Sequence, residues 1–97
     1  LISIPMHLEI VSPEATLFSG EVTSVTVPGV DGEFQMFQDH APIVSLLQKG
    51  NVKIAGNLEI EEEFRSRFAK GSDGKTILKI TSGTVELKNN KIIVLAD

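Results

Sequence analysis

Apolar and polar residues alternate along most of this chain, which is the period of a half-buried β-strand. Leu8 and Ile10 share one face of residues 7–12, with Glu9 on the opposite face. In residues 91–95, the four residues after Lys91 are instead continuously apolar, which predicts a central strand covered on both sides. Strands are predicted over residues 7–12, 15–18, 21–27, 33–37, 43–47, 51–55, 75–81, 84–88 and 91–95.

Turn residues separate these strands at short, regular intervals. Asn89 and Asn90 tolerate positive φ and predict a tight hairpin turn. In residues 21–27, Val22 is out of phase with the valines that follow, which indicates either a bulge or a strand covered on both sides. Many short strands with regular turns predict an all-β fold, an antiparallel sandwich or barrel with little or no helix.

The apolar residues in 57–68 fit both the period of a helix and the period of a strand. As a helix, they stack Ile60, Phe64 and Phe68 on one face. As a strand, they present an apolar face that two polar residues interrupt. We prefer the strand because a loop rich in glycine and polar residues follows it, so that residues 56–75 form an extended hairpin.

The composition restricts the class of protein. With 97 residues the chain fits a single domain, and residues 6–97 are predicted to form it. Residues 1–5 precede Met6 and are interpreted as a leader or an expression remnant. The chain has no cysteine, which excludes disulfides and thiolate chemistry.

The charge disfavours two kinds of partner. The formal net charge of -4 opposes binding to nucleic acid and to an anionic lipid surface. No apolar run approaches the roughly 18 residues that a spanning helix needs. We therefore expect no direct lipid insertion, and any membrane association to come through a protein partner.

Candidate catalytic chemistry is sparse. The two histidines have no cysteine partner and no metal-binding spacing, and His40 is interpreted chiefly as an anchor of the turn before Ala41. Asp31 and Glu33 could form an acid pair, which leaves a hydrolase as a weak alternative, although acidic residues on a hairpin tip are usually just solvated. No catalytic, cofactor or metal site is predicted. The residues predict a binding or assembly module.

A second class of function stays open at this point. A free-standing ligand-binding β-sandwich, such as a carbohydrate module, would have the same strand pattern. Such modules normally present an aromatic platform, and this chain has five Phe but no Trp or Tyr. Its composition therefore argues against carbohydrate binding.

An ordered series of short motifs resembles the N-terminal β-sandwich domain of the epsilon subunit of the bacterial F-type ATP synthase. Together the motifs cover most of the chain. They are HLEIVSPE at residues 7–14, LFSGEV at 17–22, VTVPG at 25–29, DGEF at 31–34, HAPIV at 40–44, KG at 49–50, SGTVEL at 82–87 and IIVLAD at 92–97.

The resemblance implies a sandwich of about ten strands in two sheets. It also implies a non-catalytic rotor subunit, without cofactors, which couples the gamma subunit to the polar loops of the c-ring and contacts the alpha/beta catalytic head indirectly. Its implied location is peripheral, at the cytoplasmic face of the bacterial inner membrane. The implied contact residues are Asp31, Gly32 and Glu33 on the c-ring side, and His40, Ala41 and Pro42 on the gamma side.

The chain departs from the pattern of these relatives at three places. Phe37, Gln38 and Asp39 stand where relatives usually have a Leu-Pro-Gly-like or Leu-Pro-Asn-like entry, and residues 56–75 are longer than usual. Many relatives also continue into a helical hairpin that restrains ATP hydrolysis and in some members binds ATP. Since this sequence stops at Asp97, being either a short subunit or a shortened one, we expect it to lack that inhibition and the associated nucleotide site.

Overall fold

A computed structural model describes residues 5–97, which form ten strands and one short helix. Each of the nine strands predicted outside residues 57–68 is present, with ends that differ by up to four residues. The separation of residues 1–5 from the domain concerns residues that, apart from Pro5, lie outside the described part. The strands are β1 (Met6–Val11), β2 (Thr16–Val22), β3 (Ser24–Gly29), β4 (Gly32–Phe37), β5 (Ile43–Leu47), β6 (Gly50–Ala55), β7 (Phe68–Lys70), β8 (Thr76–Ile80), β9 (Gly83–Lys88) and β10 (Lys91–Ala96).

All ten strands belong to one hydrogen-bonded sheet, in the order β2-β1-β10-β9-β5-β3-β6-β8-β7, with β4 beside β3. The predicted all-β fold of about ten strands is confirmed, but the hydrogen bonds do not separate the strands into two sheets. A single residue pair, Gly29 with Leu47, joins β3 to β5. The halves on either side of this narrow link share one apolar core.

The strands pair in an antiparallel manner except at one place in the described chain. There β1 runs parallel to β10, with Leu8 opposite Ile92 and Ile10 opposite Val94. These four side chains are fully buried, so the first and last strands close the core together.

Burial along β3 decides between the two interpretations of its sequence. All six residues of this strand are buried, so it is covered on both sides. Val22 instead ends β2, and the next residue, Thr23, donates its N–H to the Ala55 carbonyl at 2.8 Å. The register shift of this region lies elsewhere, between Ile10 and Val11, where β1 pairs with β2.

The prediction that residues 91–95 are covered on both sides was wrong. Strand β10 is central, but its residues alternate between buried and more exposed positions. Leu95 is 50% exposed, whereas Val94 is fully buried. The continuous apolar run therefore has one face toward the core and another that no part of the described chain covers.

Residues 57–68 do not form the predicted strand. A 3₁₀ helix, Glu62–Arg67, precedes the three-residue β7. A strand would have required Glu62 on the core face, where an unpaired carboxylate is costly. The helical turn leaves that residue exposed while Phe64 and Phe68 pack against the core. Only the end of the predicted hairpin is confirmed, because β7 pairs with β8.

Candidate interaction surfaces

The acidic turn, residues 30–33, connects β3 to β4. Gly29 pairs with Gly32 across it, so Val30 and Asp31 form the corner of a tight hairpin. Gly32 has φ +125°, a conformation that residues with a Cβ rarely adopt. Asp31, Gly32 and Glu33 are all exposed, as a docking surface requires.

Glu33 makes an ion pair that crosses the neighbouring strand. Its Oε2 lies 3.2 Å from the Lys53 Nζ on β6, so the pair spans the outer side of β3. The Glu33 side chain is 51% exposed, which makes the pair a solvated contact that adds little stability. Since a lysine balances Glu33, the turn does not resemble the acid pair of a hydrolase.

The His40 loop, residues 38–42, lies beyond the other end of β4. The Asp39 N–H donates to the Asn90 Oδ1 at 2.6 Å, and the Asn90 Nδ2 donates to the Asp39 Oδ1 at 3.1 Å. Asp39 has φ +62°, a left-handed conformation that Gly, Asn and Asp tolerate best. Asp at this position therefore tolerates the left-handed backbone conformation, as the Gly or Asn that relatives usually have here would.

His40 also contributes to the conformation of this loop. Its N–H donates to the Phe37 carbonyl at 3.2 Å, and its ring Nδ1 donates to the Ala41 carbonyl at 2.7 Å. The interpretation of His40 as an anchor of the turn agrees with these contacts. His40, Ala41 and Pro42 are nevertheless exposed, so the loop is both held and accessible.

The structure brings the six predicted contact residues together as two separate groups of three. The acidic turn and the His40 loop lie at opposite ends of β4. At roughly 3.3 Å per residue, a strand of this length separates them by about 20 Å. Met36, between them, is fully buried, which anchors both ends to the same core.

Sequence reasoning missed an exposed apolar surface, which we call the outer apolar face: Val44, Leu46 and Leu95. These side chains are 77%, 65% and 50% exposed. Leu46 and Leu95 lie in one row of the sheet, since both pair with Thr84. The signal was available, because residues 43–47 are apolar on both faces of the strand. Such a continuous patch typically marks an interface.

The described residues contain no arrangement built for metal chemistry. Within residues 5–97, no three His, Asp or Glu side chains converge on a metal-binding geometry. An open surface cleft of about 660 Å³ is lined by Leu58, Arg65 and the glutamates near the 3₁₀ helix, and includes none of the predicted contact residues. The single helix in this part of the chain is neither long nor apolar enough to cross a bilayer.

Comparisons with known sequences identify related proteins. A family described as "ATP synthase, Delta/Epsilon chain, beta-sandwich domain" matches residues 5–97. The chain is 37% identical over 90 residues to the ATP synthase epsilon chain of Chlorobium limicola, covering 93% of this chain and 86% of that one. It is 35% identical over 92 residues to the ATP synthase epsilon chain of Campylobacter curvus, but spans only 60% of that relative.

Comparisons with solved structures support the same fold. A chain in the cryo-EM structure of the Tetrahymena thermophila mitochondrial ATP synthase central stalk and c-ring matches with a TM-score of 0.72 and 14% identity, covering 99% of this chain and 66% of that chain. A chain of the Euglena gracilis mitochondrial ATP synthase matches with a TM-score of 0.72 and 15% identity, covering 99% and 52%. Identities this low establish the shared fold alone.

Proposed function

The chain belongs to the family of ATP synthase delta/epsilon chain β-sandwich domains, and we propose that it is a non-catalytic central-stalk subunit that couples the gamma subunit to the c-ring. It works peripherally, at the cytoplasmic face of the bacterial inner membrane, and reaches the alpha/beta catalytic head only through gamma. The ligand-binding alternative is not favoured, because the matched relatives are ATP synthase subunits.

One observation carries this proposal: two exposed groups of residues lie at opposite ends of the same anchored strand. A subunit that transmits rotation must bind two partners at once, and the part of the subunit between the two contact surfaces must not deform. Strand β4 meets this requirement, since it is hydrogen-bonded to β3 along its length and Met36 is buried. The acidic turn faces the polar loops of the c-ring, and the His40 loop faces gamma.

The outer apolar face extends the gamma contact. Val44 follows the His40 loop almost directly in sequence, so the loop and the face form one continuous surface along β5. Apolar side chains this exposed gain stability when a partner removes them from water, by about 1.5–3 kcal/mol for each fully covered residue. Gamma therefore covers this face in the assembled stalk.

Two variants with the same change of charge test these assignments. Leu46→Asp puts a carboxylate on the outer apolar face, and Val30→Asp puts one on the acidic turn, where Val30 is 54% exposed. We expect Leu46→Asp to weaken binding to purified gamma by about 10–100-fold, since each 1.4 kcal/mol is a factor of ten, whereas Val30→Asp leaves it unchanged. Calorimetric titration of gamma would measure both.

The opposite pattern is expected for the ring. At a gamma concentration that saturates both variants, Val30→Asp, but not Leu46→Asp, should change co-sedimentation of the gamma complex with c-ring reconstituted in liposomes. Wild-type affinity of Leu46→Asp for gamma would refute the apolar contact. Failure of the wild-type protein to bind gamma at all would refute the proposed function.

A further inference from the structure

We infer that Asn90 is a positioning residue for the His40 loop, so that the β9–β10 turn sets the geometry of the surface presented to gamma. This inference rests on the proposed role of the loop. It assigns to Asn90, which lies 50 positions along the chain from His40, control over a contact that it does not itself make.

The hydrogen bonds between Asn90 and Asp39 are reciprocal. One joins the Asp39 backbone N–H to the Asn90 Oδ1 at 2.6 Å, and the other joins the Asn90 Nδ2 to the Asp39 Oδ1 at 3.1 Å. Asn90 is only 8% exposed, so water competes weakly for its amide. The two bonds together fix both the position and the orientation of the residue that directly precedes His40.

The backbone on the Asn90 side is itself firmly held. The Asn90 carbonyl accepts a hydrogen bond from the His7 N–H at 2.8 Å, which ties the turn to the start of β1. Asn89 and Asn90 have φ of +51° and +61°, the combination that a tight hairpin turn of matching twist requires. The amide therefore extends from a rigid support toward the loop.

The chemistry of the site selects asparagine. Glycine would preserve the positive φ but leave the loop without its two hydrogen bonds. Aspartate would keep the acceptor for the Asp39 N–H, but would lose the Nδ2 donor and place a second carboxylate against Asp39. Asn89 offers a matched control, because it has the same residue type and a similar φ but an exposed side chain.

The first test compares Asn90→Gly with Asn89→Gly in the full chain. We expect Asn90→Gly to accelerate hydrogen exchange of the Asp39 amide by at least 10-fold, to shift the His40 ring resonances in NMR spectra, and to weaken gamma binding 5- to 30-fold. Asn89→Gly should change each quantity less than 2-fold. Unchanged Asp39 exchange in Asn90→Gly, or faster exchange with unchanged affinity for gamma, would overturn the inference.

A swap of the two side chains covers the case in which Asn90→Gly fails to fold. Asn90→Asp alone should weaken gamma binding, and adding Asp39→Asn should restore it to within about 2-fold of wild type, because the new pair again has one donor amide and one carboxylate. A double variant as weak as Asn90→Asp would contradict the inference. If wild-type protein does not bind gamma, the proposed function fails, while the Asp39 exchange still decides whether Asn90 holds the loop.

Discussion

The two ends of β4 are held in different ways. At the His40 loop, a nearly buried amide makes two hydrogen bonds to Asp39, and the His40 ring makes a third contact to the backbone. At the acidic turn, a tight hairpin is completed by an exposed ion pair between Glu33 and Lys53. Hydrogen bonds that are shielded from water fix the conformation of the His40 loop. The solvated ion pair at the acidic turn contributes mainly to the electrostatic potential of the surface there.

This difference suits two different partners. A protein surface packed against an apolar face requires a loop of fixed shape, because complementarity depends on where each side chain lies. The polar loops of a ring present charge and hydrogen-bonding groups, which tolerate small displacements. The proposed gamma contact is therefore the more specific of the two, and the proposed c-ring contact the more sensitive to salt.

The largest effect is expected from a change in the core that destabilises β4 as a whole, and with it both the acidic turn and the His40 loop. Met36→Ala deletes a fully buried side chain at the next-to-last position of β4 and should lower the free energy of unfolding by about 2–5 kcal/mol. Urea denaturation would measure it. Phe37→Ala, at the neighbouring position that is 54% exposed, is the control and should cost much less. Equal losses in the two variants would show that Met36 does not anchor the strand.

A smaller effect should be confined to the turn end. Gly32→Ala forces a Cβ onto a residue with φ +125° and should destabilise the protein by roughly 1–3 kcal/mol, although no atom lies within 4 Å of the added methyl group. Thermal unfolding would detect it, with Val30→Ala in the same turn as the control. Exchange of the Asp39 amide should stay unchanged, and an acceleration there would mean that the two ends are not independent.

The smallest effect concerns the ion pair. Glu33→Gln should change the free energy of unfolding by only about 0.2–1 kcal/mol, because both charged groups are partly solvated. A double-mutant cycle with Lys53→Gln would isolate the coupling, and 0.5 M salt should reduce it further. A coupling well above this range, insensitive to salt, would mean that the turn is held as firmly as the loop.

Much of the fold could be predicted from local pattern. The local apolar pattern located nine of the strands, although β2 runs four residues past its predicted end, and the preference of Asn for positive φ located the turn at Asn89 and Asn90. Residues 57–68 could not be assigned this way, because their apolar residues satisfy two periods. A strand would have placed Glu62 against the core at a cost that the periodicity does not reveal, and the structure has a 3₁₀ helix there instead.

The sequence by itself determined most of the strands and turns, and the family, since these depend on short-range periodicity and on motifs in a fixed order. Only the tertiary structure showed which apolar residues have no cover, because Leu95 and Val94 look alike in sequence and differ only in the face they occupy. It also brought Asn90 against Asp39. A contact between residues 51 positions apart depends on strand order, which no local pattern encodes.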